Sequence, residues 1–344
     1  MMAKKTGSKG FAAEEALRGY FRHTGYFVVR GIPLTYRNYN VTDVDLWLYV
    51  KATSLAAERA CVDVKRKRTP QAMQRVLWTK GLKEVLGVDQ AIVVTSDNRP
   101  ETRDFGVVHG VGILQGPFLQ RVVKSFPPSS RLTEDELISR LKTPCVVDSD
   151  VEWRSWFRRI KAMLLDSLNF DGCNNFLMAA KLLLDECLAT GKPSEVPVRL
   201  LYAIIAYFLI CLDYTSRMFV HLEAADRTAI LTNGFRYGEA GRQRTEEIVQ
   251  MSQQLLANAE KSGLFSDKAL IGEFEKQVSE YPAEILGEYF AKTESLKNLF
   301  AVARSFEELA YSETLLLPHE SPSEQKAVIG LICDLLGHDR KTII

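Results

Sequence analysis

The chain has 344 residues, 46% of them hydrophobic and 25% charged, with a formal net charge of +1. That length is about twice the roughly 150 residues of a typical domain, so two domains are expected. The apolar and charged fractions exclude a mostly disordered chain, a collagen-like repeat and a small disulfide-stapled scaffold.

Along the chain, residues 1–125 alternate short strand-like runs with helical ones, the pattern of an α/β domain. Strands are predicted at about 26–29, 44–50, 60–64, 91–95 and 107–114. Phe126-Pro127-Pro128-Ser129-Ser130 breaks the pattern. Residues 131–344 read as an all-α domain, with helices at about 133–142, 150–168, 174–189, 197–222, 240–262, 267–279, 283–309 and 323–336. The longest apolar run, 200–212, has 13 residues, short of the roughly 18 to 20 that cross a bilayer, and reads as a buried helix. No membrane association is expected. The first ten residues are basic with no apolar stretch behind them, so no secretory signal is visible and a cytoplasmic location is expected. The six cysteines form no CxxC pair and lie mostly in apolar stretches, as reduced buried thiols do.

Charge divides at the same place. Residues 1–125 hold 20 Lys and Arg against 11 Asp and Glu, and residues 126–344 hold 24 against 32, giving +9 and −8. A basic segment of this size suits a phosphate-rich partner, because Lys and Arg that neutralise phosphates release condensed counterions. The acidic helical part is a poor second nucleic-acid binder and suggests protein association instead.

The residues able to do chemistry cluster on two of the strands. In 40–50 (Asn-Val-Thr-Asp-Val-Asp-Leu-Trp-Leu-Tyr-Val), the strand period of two puts Asp43 and Asp45 on one face. In 59–65 (Arg-Ala-Cys-Val-Asp-Val-Lys), Cys61, Asp63 and Lys65 share a face in the same way. Carboxylates that hold a hard cation, beside a lysine that steadies or activates water, are what hydrolysis of a phosphodiester requires. The plain alternative is an exposed Asp63–Lys65 ion pair worth about 0 to 1 kcal/mol. At 100° per residue, Ala12, Ala13, Ala16, Leu17, Tyr20 and Phe21 make the apolar stripe of an opening helix. Glu14 falls at its edge and Glu15 well outside it.

In this order and spacing, residues from about Gly10 to Asp97 resemble the PD-(D/E)XK nuclease superfamily, with its restriction-endonuclease-like α/β fold and mixed central sheet. Glu14, Tyr20-Phe21 and Gly25-Tyr26-Phe27-Val28-Val29 look like the opening helix and strand of its Holliday-junction-resolvase-like and RecB-like branches. Thr42-Asp43 stands where a proline–aspartate pair is expected. The resemblance implies Asp45 as the first acid, Asp63-Val64-Lys65 as the (D/E)xK triplet, and Glu14 as a further acid, with Asp43 a candidate additional one. It implies Mg²⁺ or Mn²⁺ held by Asp45, Asp63 and Glu14, with catalysis by these and Lys65. Arg66, Lys67 and Arg68, with Gln71 and Gln74 on the following helix, would contact the nucleic acid. The expected function is endonucleolytic hydrolysis of DNA. The helical part would make a homo-oligomer or dock a protein partner. The alternatives are a non-catalytic nucleic-acid-binding or assembly subunit of the same fold, and a nuclease acting on RNA.

Overall fold

Helix α1 (Lys9–His23) leads into an antiparallel meander of β1 (Phe27–Tyr36), β2 (Tyr39–Lys51) and β3 (Ala57–Lys65). Then come α2 (Ala72–Leu86), β4 (Gln90–Thr95), α3 (Pro100–Val108), β5 (Gly112–Leu114), α4 (Gly116–Ser125), α5 (Glu134–Arg140) and α6 (Trp153–Asp166). The computed structural model describes residues 9–37, 39–65, 71–127, 131–191, 193–245, 247–248, 251–252, 276, 278 and 280–344. These divide into two compact units, Met1–Asp166 with Glu308–Leu315, and Ser167–Glu307 with Leu316–Ile344. The first unit thus extends past the 126–130 breaker to take in α5 and α6.

The five strands form one mixed sheet in the order β1-β2-β3-β4-β5, parallel from β3 onward. A parallel neighbour needs a crossover, and α2 supplies it. Gly87, in the left-handed conformation at φ +58°, ends α2 and turns the chain back into β4. One sheet face, carrying Val28, Leu46, Leu48, Val62, Val64 and Val94, packs on Ala13, Ala16, Leu17 and Phe21 of α1 and on Leu119 and Val122 of α4. Burying each of the larger of these side chains contributes about 1.5 to 3 kcal/mol. α2 packs on β3 and β4, and α6 on β1.

The strand predicted at 107–114 is mostly not a strand. Residues 100–108 are α3, and only Gly112–Leu114 pair in the sheet. Pro100 begins α3, where its missing N–H costs nothing. Gly110, at φ +67°, makes the turn before the short strand.

The second unit is helical: α7 (Phe170–Ala189), α8 (Glu195–Ser216), α9 (Ala224–Tyr237), α10 (Glu284–Phe290), most of α11 (Thr293–Tyr311) and α12 (Ser323–Leu335). α8 is its axis. Every residue from 200 to 212 is at most 1% exposed. Among the described residues α8 is the one helix long and apolar enough to cross a membrane, and 94% of its apolar window is buried inside the unit. Phe208 meets Phe235 of α9 and Phe290 of α10, while Phe176 of α7 meets Tyr207. The helix predicted at 197–222 stops at Ser216, and α9 follows as a separate helix. The helix predicted at 283–309 is two, α10 and α11. Most of the helices predicted at 240–262 and 267–279 lies outside the described residues. All six cysteines are buried and free.

Candidate active site

The ladder between β2 and β3 ends at the Leu46–Val62 pair. Beyond it the Asp45 carboxylate takes the place of a backbone acceptor, receiving the Val64 N–H at 2.7 Å. On its other side, between the Arg30–Leu46 and Ile32–Val44 pairs, stands Gly31 at φ +62°, a conformation that suits glycine and loosens the β1–β2 ladder at the level of Asp45. The Gly31–Asp45 pair is thus missing from a register that is otherwise the same on both sides of it.

Asp63 and Lys65 close β3, next to the end of its parallel neighbour at the Lys65–Thr95 pair. Lys65 Nζ lies 3.7 Å from an oxygen of Asp45 and 3.7 Å from an oxygen of Asp63. The ammonium is shared by both carboxylates. Asp63 is only 5% exposed, so the solvated-pair alternative does not describe it. Beneath them on the same strand faces lie Trp47 and Cys61, both fully buried. Burial pushes the Cys61 thiol up to about 12, so it is an inert floor rather than a nucleophile. Burial also raises the Asp45 carboxyl from 3.8 to about 6, against the Val64 N–H bond and the Lys65 charge. The Asp63 and Glu14 carboxylates push in the same direction.

Asp63 has a partner that the sequence did not flag. Arg75, one turn into α2, donates from Nε to Asp63 Oδ2 at 2.8 Å and from Nη2 to Asp63 Oδ1. This is the two-pronged fork that guanidinium makes with carboxylate. The same guanidinium lies 5.6 Å from the centre of the Trp78 ring, which is 45% exposed. Gln71 and Gln74 are solvent-exposed at the start of α2. Arg66, Lys67 and Arg68 lie outside the described residues.

Two further predicted acids are placed elsewhere. Asp43 is exposed and pairs with Arg158 of α6 at 2.9 Å. Glu14 accepts from Arg30 Nε at 2.7 Å. α1 covers the sheet face of Leu46 and Val62, while Asp45 and Asp63 alternate onto the other, so Glu14 reaches Asp45 as a neighbouring charge. Glu15, expected well outside the buried stripe, is as enclosed as Glu14. It accepts from Arg30 Nη1 of β1 and from the Glu134 N–H at the start of α5, both at 3.0 Å.

Behind this lies a buried ionic network. Glu134 accepts from Lys161 Nζ at 2.6 Å and from the Tyr311 hydroxyl, with Arg18 Nη1 3.8 Å away. Lys161 also donates to the Arg30 carbonyl at 2.9 Å. Burial alone would raise the Glu134 carboxyl, but the Lys161 and Arg18 charges and the two side-chain hydrogen bonds outweigh it and hold it below its ordinary value.

Asp45 and Asp63 offer donors of the kind that Mg²⁺ takes, commonly one or two carboxylates with water and substrate phosphate completing the shell. Among the described residues no third His, Cys, Asp or Glu joins them in a cluster. The Lys65 ammonium and the Arg75 guanidinium already pair with these carboxylates.

Comparison of the chain with protein-family models, with curated proteins and with solved structures finds no match.

Proposed function

We propose that the chain is a divalent-cation-dependent nuclease that hydrolyses DNA phosphodiester bonds, built on a PD-(D/E)XK, restriction-endonuclease-like domain. The observation that carries this reading is the convergence of Asp45, Asp63 and Lys65, with one ammonium 3.7 Å from each carboxylate at the open end of β2 and β3. The succession α1-β1-β2-β3-α2, with its mixed sheet, is the order that the resemblance implies and supports it further. Asp45 and Asp63 would hold Mg²⁺ or Mn²⁺. Bound there, the cation supplies Lewis acidity toward the scissile phosphate and a lowered pKa for an attacking water. Lys65, as the ammonium beside both carboxylates, orients that water, and its charge offsets the growing negative charge on the phosphate oxygens. Glu14 tunes the site through its charge. Arg66, Lys67 and Arg68 hold the backbone of the DNA, with Gln71 and Gln74 beside it. The helical unit brings two copies together or docks a protein partner.

One observation favours a second reading, a nucleic-acid-binding or assembly subunit without catalysis: Arg75 already occupies both oxygens of Asp63. Incubating the purified chain with supercoiled plasmid and with RNA, in Mg²⁺ and in EDTA, separates the two. Cleavage of DNA in Mg²⁺ alone is expected. DNA bound but intact in both conditions favours the non-catalytic subunit, and cleavage confined to RNA reassigns the substrate.

A further inference from the structure

We infer that Arg75 is a displaceable internal counter-ion, which fills the cation seat at Asp63 until a divalent ion evicts it. The inference rests on the cation-site reading above. Its guanidinium fork engages both oxygens of Asp63, and a Mg²⁺ ion needs at least one of them at about 2.0 to 2.1 Å, so the two compete for the same carboxylate. Charge balance points the same way. Asp45 and Asp63 carry two negative charges, and Lys65 with Arg75 carries two positive ones, so the group is neutral as it stands. Adding a divalent ion to all four would leave an excess of two positive charges in a place where Asp63 is 5% exposed. With Arg75 withdrawn the excess is one, which a phosphate of the substrate matches. The arginine has somewhere to go: its side chain is 26% exposed, and the half-exposed Trp78 ring lies beside it. Arg75 therefore sets how strongly the site takes a cation, as a positioning residue rather than a reacting one.

The test is Mn²⁺ affinity of the full chain at low ionic strength, by calorimetry, for the wild type, Arg75→Gln, Arg75→Lys and Asp63→Asn. Arg75→Gln is expected to bind at least tenfold more tightly than the wild type. Arg75→Lys, which keeps the charge but loses the fork, should fall between them, and Asp63→Asn should not bind. Mg²⁺ should change the Trp78 fluorescence of the wild type and not that of Arg75→Gln, with Trp78→Phe identifying the signal. Equal or weaker binding by Arg75→Gln, with binding still abolished in Asp63→Asn, overturns the counter-ion role and leaves the cation site standing. Absence of any Asp63-dependent binding in every variant overturns both. Should Arg75→Gln fail to fold by circular dichroism, Arg75→Lys decides alone, and an affinity equal to the wild type overturns the inference.

Discussion

Glu134 is enclosed by the groups that bond it, and Lys161, at 1% exposure, depends on it for its charge partner. Removing one member of such a pair leaves the other buried and uncompensated, a loss of about 3 to 5 kcal/mol. Because the folded carboxyl is held below 4.5, its pairing stabilises the protein fully above that value. The contribution declines as pH falls from there through the folded-state value. Glu134→Ala should therefore be much less stable than the wild type in urea at pH 7, with the gap narrowing toward pH 3. An equal gap at both pH values would show that packing, not charge, is what is lost. At this scale the sequence was informative where chemistry follows strand period: Asp63 and Lys65 share a face of β3 because alternate side chains must, whereas their meeting with Asp45 depends on the register of β2 against β3. It was silent where partners meet through tertiary packing. Nothing about a single arginine in α2 points to Asp63, and Glu15 is enclosed by Arg30 of β1 and the first residue of α5, which meet it through the tertiary fold.

Among the elements, α8 was the most legible, since 13 consecutive apolar residues have no stable place except a core. α3 was not: Val107 and Val108 favour a strand by propensity, yet both are exposed at the end of a helix begun by Pro100. The helix packing of the second unit makes a sharp demand at Gly234 in α9. A Cβ there would clash with three atoms of the Phe170 ring, which is itself stacked on Phe219 and edge-on to Phe235. Gly234→Ala should cost about 1 to 3 kcal/mol by overpacking, despite the better helix propensity of alanine. A urea midpoint equal to or above that of the wild type would show that the aromatic cluster yields freely. The basic segment before α2 is tested through salt. Replacing Arg66, Lys67 and Arg68 with Gln should reduce the slope of log K against log salt by about 0.9 for each duplex phosphate that is no longer neutralised. An unchanged slope would make these residues a solvated turn.

Across the whole molecule, the change of charge and texture near residue 126 does not coincide with the edge of the first compact unit. Charge and periodicity report local composition. The unit extends to Asp166 because α5 and α6 supply Glu134 to the Arg18 side chain of α1, Asp135 to the Arg30 side chain of β1, and Lys161 to the Arg30 carbonyl. A fragment of residues 1–128 should consequently unfold at lower urea than one of residues 1–166. Equal midpoints would show that the ionic network adds nothing to the sheet. The helical unit is expected to associate, so light scattering of the full chain should give a mass above the 38.8 kDa of one copy, either alone or with a partner. The central claim is that the Asp45–Asp63–Lys65 group hydrolyses DNA. It is tested most directly by single-turnover cleavage of plasmid in Mg²⁺, comparing the wild type with Lys65→Met, which keeps an unbranched stem and removes the amine. The rate is expected to fall by about 10² to 10³, the usual contribution of one positioned donor to developing negative charge, while DNA affinity changes little. Cleavage by Lys65→Met at the wild-type rate would contradict the account.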